Sequence, residues 1–97
     1  MIIVWGCAEA QRGKLDELLR ISLEHVARSR EEPGCIQHGV HIDAENDNRL
    51  VFFEQWADRA VLQTHFDVPE SGGFVQQAKA LSVGPPEIRI FDSTQVD

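Results

Sequence analysis

The run Leu50-Val51-Phe52-Phe53-Glu54-Gln55-Trp56 restricts the fold more than any other stretch of the chain. An extended segment points successive side chains to opposite faces. Leu50, Phe52, Glu54 and Trp56 then share one face, and Val51, Phe53 and Gln55 the other. Both faces carry large apolar groups. A sheet with one wet face alternates apolar and polar residues, and this run does not. Each face therefore needs a cover. Helices of the same chain can supply one. A second copy of the chain is the expected source of the other, which predicts a homodimer.

The remaining segments supply the helices. Ile2 to Ala8 reads as a first strand. From Gly13 to about Glu32 the pattern is helical, with Leu15, Leu18, Leu19, Ser22, Leu23, Val26 and Ala27 as the predicted inner stripe. Asp16 and Glu17 near its start and Arg28 and Arg30 near its end suit the helix dipole. Pro33-Gly34 stops it. Cys35 to Asp43 reads as a second strand, with Ile36, His38, Val40 and Ile42 on one face and Cys35, Gln37, Gly39 and His41 on the other. Residues 44–48 form a turn by composition, and Arg49 to Trp56 is the third strand. Asp58 caps a short helix with Val61, Leu62, His65 and Phe66 on one side. Residues 68–73 break it. A third helix is predicted over Gly73 to Leu81, a Gly84-Pro85-Pro86 stop follows, and Glu87 to Phe91 is the last strand.

The order β-α-β-β-α-α-β is the split βαβ, ferredoxin-like arrangement of the α+β class. It places helices on one face of a four-stranded antiparallel sheet. Residues 1–92 are expected to form a single domain and residues 93–97 a polar tail.

Charge narrows the partners. Nine basic residues are scattered through a chain of net charge −7. Phosphate recognition depends on clustered Lys and Arg, so no nucleic acid is expected, and no anionic membrane surface either. No positive leader or membrane-length apolar run is present, and a cytoplasmic location is expected. Cys7 and Cys35 are read as free thiols, because the first and second strands are separated by the third in this fold.

There is no Gly-x-Ser-x-Gly elbow and no glycine-rich phosphate loop. His38 and His41 lie three apart on a strand and point to opposite faces, and His25 sits at the flank of the helix stripe. No metal-ligand spacing is present, so no metal is expected. What remains is His65 on the inner side of a helix with Glu54 in the preceding strand. Such a pair suits acid–base work on a phenol or enol. The same pair can also be a plain buried contact that satisfies the histidine.

The residues Glu32-Pro33-Gly34-Cys35, then Val51 to Asp58 with Glu54-Gln55-Trp56, then Leu62-Gln63-Thr64-His65, resemble the antibiotic biosynthesis monooxygenase family. The resemblance covers nearly the whole chain. It implies a dimeric α+β barrel with a pocket between helices and sheet in each subunit. It implies oxygenation of small quinols or polyketide-like aromatics by molecular oxygen, with no cofactor, metal or flavin. Glu54, Trp56 and His65 match the family's motif, and in that frame His65 and Glu54 are the catalytic residues and Trp56 contacts the substrate; from their own character Phe52, Phe66, Phe74 and Ser22 are expected substrate contacts, with Trp5 and Phe53 as further candidate walls. Pro69 is followed by Glu70 where members often carry a second histidine, there is no tyrosine, and the first strand lacks the asparagine of haem-degrading relatives. The rival expectation is a non-catalytic dimeric domain of the same fold that binds a small ligand or is stress-associated.

Overall fold

The computed structural model describes residues 1–97. The elements are β1 (Ile2–Glu9), α1 (Leu15–Arg30), β2 (Cys35–Asp43), β3 (Asn46–Trp56), α2 (Arg59–Asp67), α3 (Pro69–Leu81) and β4 (Glu87–Asp92). The strands form one antiparallel sheet in the order β2-β3-β1-β4. This is the expected ferredoxin-like α+β fold. No helix is long and apolar enough to cross a membrane.

The inner face of the sheet carries two apolar clusters. Ile2, Val4 and Trp56 pack with Leu62 at one end. Ala8, Leu50 and Phe52 pack with Leu18, Ile21 and Ala78 at the other. Glu54 and His38, paired across strands with each other, lie between the two, Glu54 facing Val4 on its other side. Polar groups are thus inserted at the middle of an otherwise apolar face.

The inner stripe of α1 differs from the expected one. Leu18, Ile21, Ser22, His25, Val26 and Ser29 are buried, whereas Leu23 is 52% exposed and Ala27 is exposed too. The buried stripe is rotated toward Ile21, His25 and Ser29, which leaves Leu23 and Ala27 on its solvent flank despite their apolarity. Ser22 Oγ donates to Leu18 O at 2.6 Å and Ser29 Oγ to His25 O at 2.7 Å. Each hydroxyl is satisfied by its own helix, so it can be buried without a partner elsewhere.

Two boundaries and one pairing also differ from expectation. The β2–β3 turn is only Ala44-Glu45, closed by Asp43 Oδ1 accepting from Glu45 N–H at 2.9 Å, and β3 begins at Asn46. α3 begins at Pro69 rather than Gly73, because proline fits the first helical turn where its missing N–H costs nothing. β2 pairs irregularly between Cys35 and Gln37. Ile36 is the extra residue there and is exposed, while Cys35 joins Trp56 on the inner side, so the expected alternation fails at this end.

Gly34 ends the turn after α1 with φ +83°. A Cβ at this position would lie 2.7–2.8 Å from the side chain of Val61. That close approach presses the turn against α2. On the outer face of the sheet, Trp5, Cys7, Val51 and Phe53 are only half-buried, and the Arg89 guanidinium lies 5.2 Å from the Trp5 ring centre. Cys7 and Cys35 are unpaired, on strands separated by β3.

Candidate functional site

α2 starts at Asp58, whose carboxylate accepts from Val61 N–H at 2.9 Å. The cap sets the helix so that Leu62 and His65 face inward. His65 packs over Trp56 with ring centres 4.5 Å apart. Its Nδ1 lies 2.9 Å from Glu32 Oε1. Glu32 sits in the turn that Gly34 presses against Val61, and Val61 and His65 are one helical turn apart on the same side. The partner of His65 is therefore Glu32.

Glu54 is not the orienting group. Its Oε1 accepts from Trp56 Nε1 at 2.8 Å and lies 3.4 Å from His38 Nε2. The period-two pleat explains this: Trp56 is the next residue on its face and His38 its partner on the adjoining strand. Burial raises the Glu54 pKa, but contacts from His38 and Trp56 outweigh it and hold the carboxyl below its ordinary range. Glu54 is a buried anion, not a proton donor.

His25 stacks on Phe74, ring centres 4.1 Å apart and planes 6° apart. Arg28 Nη2 donates to its Nδ1 at 2.7 Å. The neutral ring then carries its proton on Nε2. Burial first, then the charges of His38, His65 and Arg28, push its pKa down to about 3. His38 is 1% exposed, and neither ring nitrogen has a hydrogen-bond partner.

A cavity of about 710 Å³ opens beside these groups, within the usual range for small-ligand sites. Phe52, Phe66, Phe74, Glu54, His65 and His25 border it, with Gly6 in its floor and Lys79 among its polar lining. Five of the seven expected site residues are thus brought together. The other two are not. Trp56 is fully buried beneath His65, and Ser22 is enclosed in the core on its own helix carbonyl. Trp5 and Phe53 lie on the outer face, away from this cavity.

Glu32, His25 and His38 are the residues that sequence reasoning missed. His25 had a signal, since Leu18, Ser22 and His25 step by four and three along α1. His38 and Glu32 had none, because their roles depend on strand pairing and on the Gly34 turn. His25, His38 and His65 come together from three elements, which corrects the reading that no ligand set converges. The fourth histidine, His41, is exposed.

The sequence profile of antibiotic biosynthesis monooxygenases matches residues 1–77. The chain belongs to the antibiotic biosynthesis monooxygenase family. Among curated proteins it is 37% identical over 90 residues to an uncharacterised protein of Synechocystis. That match covers 93% of this chain but 61% of the longer Synechocystis protein. A crystal structure of an antibiotic biosynthesis monooxygenase superimposes with TM-score 0.89 at 24% identity, covering 98% of this chain and 100% of the other. A candidate antibiotic biosynthesis monooxygenase from Deinococcus radiodurans gives 0.94 at 21% identity, covering 100% and 96%. At these identities the structural likeness speaks for the fold. The monooxygenase-family frame leaves the substrate to be argued from the cavity.

Proposed function

We propose that this chain is a monooxygenase that acts on a small quinol or polyketide-like aromatic with molecular oxygen as co-substrate. The observation that carries the reading is His65, held at Nδ1 by Glu32, on the wall of a cavity bordered by three phenylalanines. A carboxylate at Nδ1 fixes the proton there and leaves the Nε2 lone pair as a base. Phe52, Phe66 and Phe74 suit a flat aromatic, and Lys79 offers a charge to a phenolate or carboxylate substituent.

His65 takes a phenolic proton. The resulting phenolate is electron-rich enough to react with oxygen. One oxygen atom enters the ring and the other leaves as water, while the quinol becomes a hydroxyquinone. Its own electrons complete the balance, so this reaction requires neither metal nor flavin. In the same reading the chain is a homodimer packed through the outer sheet face, a single domain with a short tail, and cytoplasmic.

A second reading, a non-catalytic ligand-binding or stress-associated domain, is favoured by the enclosure of His65, which is 3% exposed. Oxygen uptake with a panel of quinols, with and without chelator, separates the two. Uptake that is lost in His65→Ala supports the enzyme. No uptake with any quinol removes it.

A further inference from the structure

Three imidazoles meet at the middle of the inner sheet face. His25 comes from α1, His38 from β2 and His65 from α2. One ring nitrogen of each lies within 4.8 Å of those of the other two. Ring centres are 5.3 Å apart for His25–His38 and His25–His65, and 5.7 Å for His38–His65. Three histidines around a tetrahedral ion at a metal–nitrogen distance of about 2.0–2.1 Å have ring centres about 5 Å apart. The rings already stand at that spacing. Closing the set asks nitrogens now within 4.8 Å of one another to approach to about 3.4 Å, the separation that two ligands of a tetrahedral ion take.

The surroundings point to a cation. A buried histidine ordinarily finds a partner, yet both nitrogens of His38 lack one. Ligating histidines commonly offer their other nitrogen to a carboxylate. Glu32 stands at His65 Nδ1, which leaves Nε2. Glu54 stands 3.4 Å from His38 Nε2, which leaves Nδ1. Buried Glu54 and half-buried Glu32 also balance a double positive charge. Arg28 is the one opposing element. It donates to His25 Nδ1, so it either blocks that nitrogen or keeps the proton on the other. Ion binding requires it to swing away, which breaks its Nη2 bond to His25 but frees a buried, unpartnered Nε to find a partner in water.

We propose that His25, His38 and His65 form a binding site for a divalent first-row transition-metal ion such as Zn²⁺. Glu32 and Glu54 support two of the ligands, and Arg28 is the residue the ion displaces. His25 and His65 border the cavity, so the remaining coordination position faces the space where a small ligand binds. The ion takes the His65 nitrogen that acts as base in the oxygenase reading, so the two chemistries exclude one another at that atom. Binding itself does not rest on that reading.

The test is a Co²⁺ titration of the chelator-dialysed full chain, followed by Zn²⁺ competition. One Co²⁺ per chain with the visible bands of tetrahedral coordination, bleached by Zn²⁺, is expected. His38→Ala weakens binding by more than about tenfold, the loss that removing even an outer carboxylate can cause. Arg28→Gln removes the competing cation, offers His25 an amide oxygen and tightens binding. His41→Ala binds as the unaltered chain does. Circular dichroism checks folding; should His38→Ala not fold, the unaltered chain and Arg28→Gln decide. Absence of the bands, or equal binding by folded His38→Ala and His41→Ala, overturns the site. Quinol turnover in a chain that binds no Co²⁺ leaves the oxygenase standing without the metal site. Co²⁺ binding without turnover does the reverse.

Discussion

Glu32 Oε1 lies 2.9 Å from Nδ1 of His65, although 33 residues separate them. The acid that holds the histidine comes from the turn after α1, while the acid nearer in sequence, Glu54, is engaged by Trp56. Removing the base in His65→Ala lowers quinol turnover by roughly 10²–10⁴-fold. Glu32→Gln keeps the shape and removes the charge. Neutralising an orienting acid lowers turnover by as much as about 10⁴-fold in a catalytic triad, and a fall toward that size is expected here. Glu54→Gln has the smaller effect. Steady-state kinetics on the three variants checks this, and equal losses for Glu32→Gln and Glu54→Gln contradict the pairing.

Acid lowers stability through His25. Burial, then His38, His65 and Arg28, bring its folded pKa from 6.5 to about 3, and Glu32 and Glu54 are the acids that meet His65 and His38 beside it. Between those two values the unfolded chain binds more protons than the folded one. Stability from this group is therefore complete above the unfolded pKa and falls as pH drops toward about 3. The lowered pKa of Glu54 acts in the same direction. Denaturant melts from neutral to acidic pH, with chelator present, should show the decline, and His25→Gln should show a shallower one. An identical slope in the variant rejects the assignment.

Gly34→Ala is expected to cost about 1–3 kcal/mol. The positive φ strains any side chain, and the new methyl meets Val61. Val61→Ala in the same chain relieves the contact but not the backbone strain, so it recovers only part of the loss. Full recovery in a denaturant melt would show that the contact alone matters.

Phe53 lies on the outer face, half-buried and paired across strands with Trp5 and Gly39. Phe53→Asp should yield monomers, because an unpaired carboxylate cannot be enclosed between two sheets. Sedimentation should find the unaltered chain dimeric at micromolar concentration. A monomer there ends the dimer proposal.

The fold was legible because its evidence is local: apolar period, glycine and proline punctuation, and one strand with no wet face. His65 was legible for the same reason, as a polar residue on a helix's apolar side. Its partner was not. Adjacency in sequence favoured Glu54, but a pleated strand points its acid sideways to Trp56 and His38, whereas a positive-φ turn at Gly34 delivers Glu32. Ser22 misled in the opposite sense. Its place in the helix stripe allowed either close packing or a substrate contact, and its hydroxyl is satisfied by the helix's own carbonyl. The histidine cluster needed the strand pairing of His38 with Glu54, which no spacing encodes.

The extra residue at Ile36 has a consequence for how copies of the chain can meet. β2 is one border of the sheet, and its pairing is irregular at both ends, at Cys35/Gln37 and at Ile42/Asp43. β4, the other border, is six residues long and carries Glu87, Arg89 and Asp92. Neither border offers a long, flat ladder to an incoming strand. Growth by adding sheet to sheet, which has no natural end, is blocked on both sides. The proposed contact sets the outer sheet face against the same face of a second copy, and such a contact closes after two copies.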